Sequence, residues 1–297
     1  MNLCNRGVIT SLMEEAGIGF RKDLGQNFLT NPEIPLRCAE GCESDPDTLI
    51  LEIGPGIGCM TDALASRFRH VVAVEIDTRL LTVLEKTLAE HHNVTVVNCD
   101  IMKCDIPALL CRIKAEKGLP EELPVAVCAN LPYYITTPIL MYLLECGVAF
   151  SSVTVMVQSE VADRLTASPG SSAWGAISAA VAYYGKAQKL FSVPAGCFMP
   201  MPKVNSAVVR VALYREKPCR PKDEKLFFRV IKGSFGQRRK TLSNALTSAF
   251  PELGKQEVTG IIASVGLSPQ LRGEVLSVEQ FTALSDAFYE ALRNQET

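Results

Sequence analysis

LEIGPGIGCMTDAL, residues 51–64, reads as the end of a strand, a glycine turn and the start of a helix. Gly54, Gly56 and Gly58 let the backbone approach a ligand at the helix N-terminus. Tight strand-to-helix turns need glycine in any case, so the triplet alone names no ligand. The surrounding pattern fixes the fold. TLILEIG (48–54), VVAVEI (71–76), VTVVNC (94–99), PVAVCAN (124–130) and SVTVMVQ (152–158) are continuous apolar runs of strand length. Between them lie helical stretches such as TRLLTVLEKTLAEHH (78–92), with Leu80, Leu81, Leu84 and Leu88 on one face and Thr78 as its expected N-cap. Strands apolar on both faces, alternating with helices, predict an α/β fold with a mostly parallel sheet covered on both sides. Such sheets place ligands at the carboxyl ends of their strands.

AQKLFSV (187–193) and SAVVRVALYR (206–215) predict two further strands. After the charged, proline-containing linker REKPCRPKDE the pattern turns helical over 224–233, 238–249, 255–264 and 278–293. This predicts two domains, 1–217 with the sheet and a small all-helical domain over 218–297.

The chain has 297 residues, 47% apolar and 21% charged, the composition of a globular protein. No apolar run approaches the ~18 residues of a membrane span. The first residues, MNLCNRGVITSLMEEAG, carry acids and lack the apolar stretch of a signal peptide. A cytoplasmic protein without membrane contact is expected. Eleven cysteines in such a chain read as reduced, mostly buried thiols. Cys38 and Cys42, and Cys99 and Cys104, lack matching second pairs, so no metal is expected. Net charge is −2, but Lys203 to Lys240 holds twelve basic residues against three acids. That local excess of nine leaves eleven net negative charges elsewhere and points to a polyanionic partner.

Two acids sit where a nucleoside site wants them. Glu75 ends the second strand, 21 residues after Gly54, the spacing of an acid that accepts from a ribose diol. Asp100 follows the third strand, where an acid can serve an adenine edge or merely cap a helix. The form E-x-G-x-G-x-G, with Glu52 before the turn, suits a cofactor that lacks phosphates and carries a charged methionine-like tail. S-adenosylmethionine fits, and NAD remains the alternative on this motif alone. The fourth strand runs into CANLPYYITTPI (128–139). Pro132 pushes Leu131 into an extended conformation, which can aim its carbonyl outward beside the Asn130 side chain. Two adjacent acceptors suit the planar amine of a base, and Tyr133 offers a stacking face. The competing reading is that Asn130 caps the next helix and Tyr133 packs in the core.

LGQNFL (24–29), LEIGPGIGCMT (51–61), VEID (74–77), NCDIM (98–102), ANLPYYITTPI (129–139), FMPMPKVNSAVV (198–209) and FGQRRKTLSNAL (235–246) together resemble the ribosomal RNA adenine dimethyltransferases, closest to the small-subunit (16S) type. The resemblance implies a class I S-adenosylmethionine-dependent methyltransferase fold with a helical C-terminal RNA-binding domain. It implies that Asn27, Leu29, Gly54, Gly56, Glu75, Asp100 and Asn130 bind the cofactor. Asn130, Leu131, Pro132 and Tyr133 would hold the target amine, with Tyr133 and Phe198 sandwiching a flipped adenine. Arg238, Arg239 and Lys240 would meet RNA phosphates, with a solvated helix start as the bland alternative. The implied reaction dimethylates two adjacent adenines in a 16S rRNA hairpin loop of the immature small subunit, by a monomer that uses no metal. An RNA-binding assembly factor, with methylation secondary, is the alternative from another class. Ala173 and Trp174 in SSAWG, and Asp23 before LGQNFL, depart from the family pattern at positions that bear on RNA docking.

Overall fold

The computed structural model describes residues 1–21, 25–43, 45–237 and 239–295. The chain divides into two compact units. The first comprises Met1–Ala162 with Gln188–Leu213, and the second comprises Asp163–Ala187 with the chain from Tyr214 on. The sequence reading placed one break at residue 217. The main break falls at 213/214, and the 163–187 excursion joins the helical unit, a grouping set by tertiary packing.

Seven strands form one sheet: β1 (Leu49–Ile53), β2 (His70–Glu75), β3 (Val94–Asn98), β4 (Val125–Asn130), β5 (Phe150–Gln158), β6 (Gly185–Val193) and β7 (Ser206–Leu213). Their order is β3-β2-β1-β4-β5-β7-β6. Neighbours from β3 to β5 are parallel, and β5 pairs with β7 antiparallel. The central strands are Val/Ile/Leu runs buried on both faces, as a covered parallel sheet requires. Register sets the functional rim. Ile53 lies opposite both Val74 and Ala129, so Gly54, Glu75 and Asn130 leave the sheet at one level. Glu75 in turn lies opposite Asn98, which puts Asp100 just beyond the same rim.

The 78–92 helix is shorter than its sequence suggests. A single 3-10 turn, Thr78–Leu80, leads into an α-helix over Leu81–Thr87. The cap is Asp77 rather than Thr78, with its carboxylate accepting from the Arg79 N–H at 3.2 Å. A carboxylate is at least as good a cap as threonine, and Asp77 is further held by the Arg79 guanidinium at 2.6 Å. Leu80, Val83, Leu84 and Leu88 are buried, whereas Leu81 is only partly so.

The second unit packs helices Ala176–Tyr184, Glu224–Gly236, Leu242–Ala249, Lys255–Ser264 and Val278–Gln295. Phe227, Val230, Leu246, Ile262, Phe281 and Phe288 are among its fully buried side chains, and Tyr183 and Phe227 lie 4.8 Å apart between ring centroids. Trp174 is also buried, so this departure from the family pattern packs inside the unit rather than presenting a docking surface. All eleven cysteines are free, but only five are buried; five are partly buried and Cys111 is exposed. Among the described residues no cluster of three or more His, Cys, Asp and Glu could hold a metal, and no helix is long and apolar enough to cross a membrane.

Candidate active site

The rim bounds a solvent-open cleft. It is lined by the strap Gly25–Leu29, by Glu52, by the glycine turn from Gly54 to Gly56, by Glu75 and Ile76, and by Asn130 through Tyr133, with Cys59, Met60 and Leu80 below. Among the described residues that line it, two are carboxylates, Glu52 and Glu75, and none is a lysine or arginine. That lining fits a positively charged ligand.

Gly54, Gly56 and Gly58 all adopt positive φ, +69°, +61° and +93°. The turn they make points the Gly56 N–H at one Glu75 oxygen, at 3.2 Å. The Asp77 N–H donates to the other at 2.8 Å. Burial pushes the Glu75 carboxyl above its ordinary range, opposed by these backbone donors. Each oxygen keeps a lone pair for a diol. Glu52 is more isolated. It is 1% exposed, and its Oε2 has no hydrogen-bond partner. Burial, with the nearby Glu75 charge adding, pushes it up to about 8. A buried acceptor without a partner is costly, and a donor cation entering the cleft would satisfy it.

The strap touches every wall. Gly25, at φ +64°, packs so closely that a Cβ there would lie 3.1 Å from the Pro132 Cβ. Gln26 donates to Asp77 at 3.0 Å, two residues past Glu75. Phe28 covers Gly56, and Leu29 pairs in a short antiparallel ladder with Phe198. The carbonyl of Asn27 accepts from the Asn130 side-chain amide at 3.2 Å. A carbonyl only accepts, so Asn130 presents its nitrogen to the strap and keeps its own oxygen for another donor. The Gln26–Asp77 bond escaped the sequence reading; GQN before Phe28 was its only trace.

The competing reading of Asn130 as a helix cap fails. The helix Thr136–Glu145 starts after Ile135 with no side-chain cap bond. Leu131 is held by its N–H on the Met156 carbonyl at 3.2 Å, with its side chain buried. Thr136 Oγ1 donates to the Pro132 carbonyl at 3.0 Å, which fixes the turn. Tyr133 is half-buried in the cleft wall, and its hydroxyl meets Ser206 Oγ at 2.6 Å. Burial raises its pKa, so it stays a phenol.

Three expectations need correction or restriction. Phe198 is 1% exposed, is not among the residues that line the cleft, and pairs through its backbone with Leu29. Asp100 does not line the cleft either. It caps the turn Ile101–Lys103, accepting from the Met102 N–H at 3.0 Å. Arg238 lies outside the described residues. Arg239 and Lys240 are exposed, but they stand in a turn; the helix begins at Leu242 with Thr241 as its cap. Within the basic window, Arg210, Lys217, Lys222 and Arg229 are neutralised by ion pairs, while Lys203, Arg215, Arg220, Lys225, Lys232, Arg239 and Lys240 make none among the described residues.

Sheet order, glycine turn and acid-lined cleft define a class I methyltransferase fold. The family model of the ribosomal RNA adenine dimethylases matches residues 17–288, and the chain belongs to that family. The chain is therefore an S-adenosylmethionine-dependent rRNA adenine dimethyltransferase. It is 45% identical over 290 residues to the ribosomal RNA small subunit methyltransferase A of Streptococcus sanguinis, covering 97% of this chain and 98% of that one. It is 43% identical over 293 residues to the protein of that name from Streptococcus thermophilus, covering 98% and 99%. The crystal structure of the 23S rRNA methyltransferase ErmE matches with a TM-score of 0.65 at 25% identity, over 88% of this chain and 99% of that one. A dimethyladenosine transferase from Plasmodium falciparum shares the fold, with a TM-score of 0.72 at 21% identity over 89% and 98%.

Proposed function

We propose that the chain dimethylates the exocyclic amines of two adjacent adenines in a hairpin loop near the 3′ end of 16S rRNA, on the immature small subunit in the cytoplasm. The observation that carries the residue assignment is the Asn130 amide, oriented by the Asn27 carbonyl so that its oxygen is the free acceptor. When bound, S-adenosylmethionine supplies an electrophilic methyl on a sulfonium, with a neutral thioether as leaving group. Glu75 takes the ribose diol, the glycine turn and strap cradle the amino-acid end, and Glu52 faces its positive charge. Asp100 stands one strand beyond Glu75, on the side where the adenine would extend.

The base amine is a poor nucleophile because its lone pair is spread into the purine. Asn130 Oδ1 and the Leu131 carbonyl accept the two amine hydrogens in the first transfer and share the one that remains in the second, holding the nitrogen in a geometry that frees that pair. After each transfer the methylated nitrogen, now cationic and acidic, gives its proton to water. Tyr133 stacks on the ring. A neutral leaving group asks for no acid, so the work of these residues is positioning, worth up to ~7–11 kcal/mol. Flipping the base costs a few kcal/mol, less in a loop.

The deciding experiment is methyl transfer from labelled S-adenosylmethionine to unmethylated small-subunit particles, large-subunit particles and free rRNA, with nucleosides identified by mass spectrometry. Dimethyladenosine on the small subunit is the expected result. Product on large-subunit RNA alone would move the target to that of the ErmE-like structural relative.

The cations of the second unit that form no ion pair among the described residues, Arg215, Arg220, Lys225, Lys232, Arg239 and Lys240, favour a role in holding RNA apart from chemistry. Replacing Arg239 and Lys240 by alanine should weaken RNA binding and flatten its salt dependence by about 1–2 units of log–log slope. An unchanged slope in filter binding from low to moderate salt removes them from the interface. Methylation-dead protein that still restores subunit maturation would put assembly ahead of catalysis.

Glu52 yields a pH prediction. The unfolded carboxyl titrates near 4.5 and the folded one near 8, so the folded chain holds the extra proton between those values. Stability from this group is therefore lost as pH rises through that window. Without cofactor, Glu52→Gln should melt close to wild type near pH 5 and increasingly above it by pH 9. A melting difference that does not grow with pH refutes the buried, protonated carboxyl. The same variant should bind S-adenosylmethionine more weakly.

A further inference from the structure

We propose that Ser206 is a positioning residue for the target base, acting through Tyr133. The inference rests on the reading that the Tyr133 ring faces the adenine. Tyr133 sits on the loop after β4, half-buried, and lines the cleft. A ring on a loop can tilt about its side-chain bonds, and a tilted ring stacks poorly. Its hydroxyl is pinned by Ser206 Oγ at 2.6 Å, across 73 residues of sequence. Ser206 is itself immobile: it is fully buried, opens β7 and lies opposite Gln158 of β5. The preceding Asn205 carbonyl accepts from the Ser159 N–H at 3.0 Å, and its side chain accepts from the Ala195 N–H at 3.0 Å. The sheet thus reaches through one hydroxyl to set the plane of a ring that lines the cleft. Ser206 touches neither the cleft nor the base, since it is absent from the cleft lining.

The test removes the same hydrogen bond from each end. Ser206→Ala and Tyr133→Phe should each lower the single-turnover methylation rate on small-subunit particles about tenfold, a part of the stacking advantage. Dissociation constants for S-adenosylmethionine should stay within about twofold of wild type, because the two hydroxyls removed bond each other and not the residues assigned to the cofactor. The double variant should be no slower than the worse single variant. A merely structural role for Ser206 would instead lower melting temperature and cofactor affinity together. Wild-type rate in Ser206→Ala, or effects that multiply in the double variant, overturns the proposal. Should Ser206→Ala fail to fold, Tyr133→Phe alone decides, because it deletes only the pinned hydroxyl and a wild-type rate then overturns it. Tyr133→Ala separates the two layers: full activity there defeats the base-stacking reading, whereas a dead Tyr133→Ala beside a fully active Tyr133→Phe defeats only the pin.

Discussion

Asn130→Ala is expected to cut methyl transfer by about 10²–10³-fold while leaving the fold intact. The loss falls on the rate because the amide oxygen contacts the amine only in the reacting geometry. The side chain is partly buried and its nitrogen has one protein partner, the Asn27 carbonyl at 3.2 Å. Removing it leaves that carbonyl to water or unpaired, a cost of about 1–3 kcal/mol at most. Asn130→Asp is the sharper variant. It keeps an acceptor for the base but sets a second oxygen against the Asn27 carbonyl, where two acceptors repel. The aspartate should therefore remain far below wild type despite its near-identical shape. Rapid-quench transfer rates with calorimetric cofactor titration separate the two effects. An alanine variant with wild-type transfer would remove Asn130 from the amine-binding pair.

The features legible in the sequence are those that depend on near neighbours along the chain. Continuous Val, Ile and Leu runs locate β1 to β5 within two residues, because β1, β2, β4 and β5 are largely buried on both faces and favour apolar side chains; β3, at the sheet edge, is only partly buried but keeps its β-branched run. The two rim residues Glu75 and Asn130 stand out because each ends an apolar run with a polar group that a core would not tolerate. What could not be read depends on packing between distant segments. The family resemblance assigns Phe198 a stacking role, but its burial and its pairing with Leu29, 169 residues earlier, could not be read along the chain. Asp77 displaces Thr78 as cap because Gln26 and Arg79 both converge on it. The 163–187 segment signals a turn at SPGSS (168–172), but nothing in its composition shows that it folds with the second unit. Even the +9 window misleads in part, since carboxylates at Glu43, Glu224, Glu252 and Glu290 neutralise four of its cations.

Gly56→Ala should cost cofactor affinity at least about tenfold, and three glycines of like backbone show why. Gly54, Gly56 and Gly118 have φ of +69°, +61° and +62°, so alanine at each meets a similar left-handed penalty of about 1–2 kcal/mol. Their surroundings differ. A Cβ at Gly118 meets nothing within 4 Å and lies far from the cleft lining, so Gly118→Ala should lose stability alone. A Cβ at Gly56 falls 2.9 Å from Phe28 Cε1 and 3.1 Å from its Cδ1. Phe28 cannot swing away freely: it is buried, paired with Met199, and its ring lies 5.7 Å from that of Phe20. Either the strap lifts or the turn shifts, and a shifted turn withdraws the Gly56 N–H from Glu75. Both outcomes damage the cofactor walls. Gly54 is the discriminating case. Its Cβ would also meet nothing of the protein, but the open space is the cleft itself. Gly54→Ala should therefore match Gly118→Ala in melting temperature and Gly56→Ala in lost S-adenosylmethionine affinity. Wild-type affinity in Gly54→Ala would mean that the cofactor does not approach this turn.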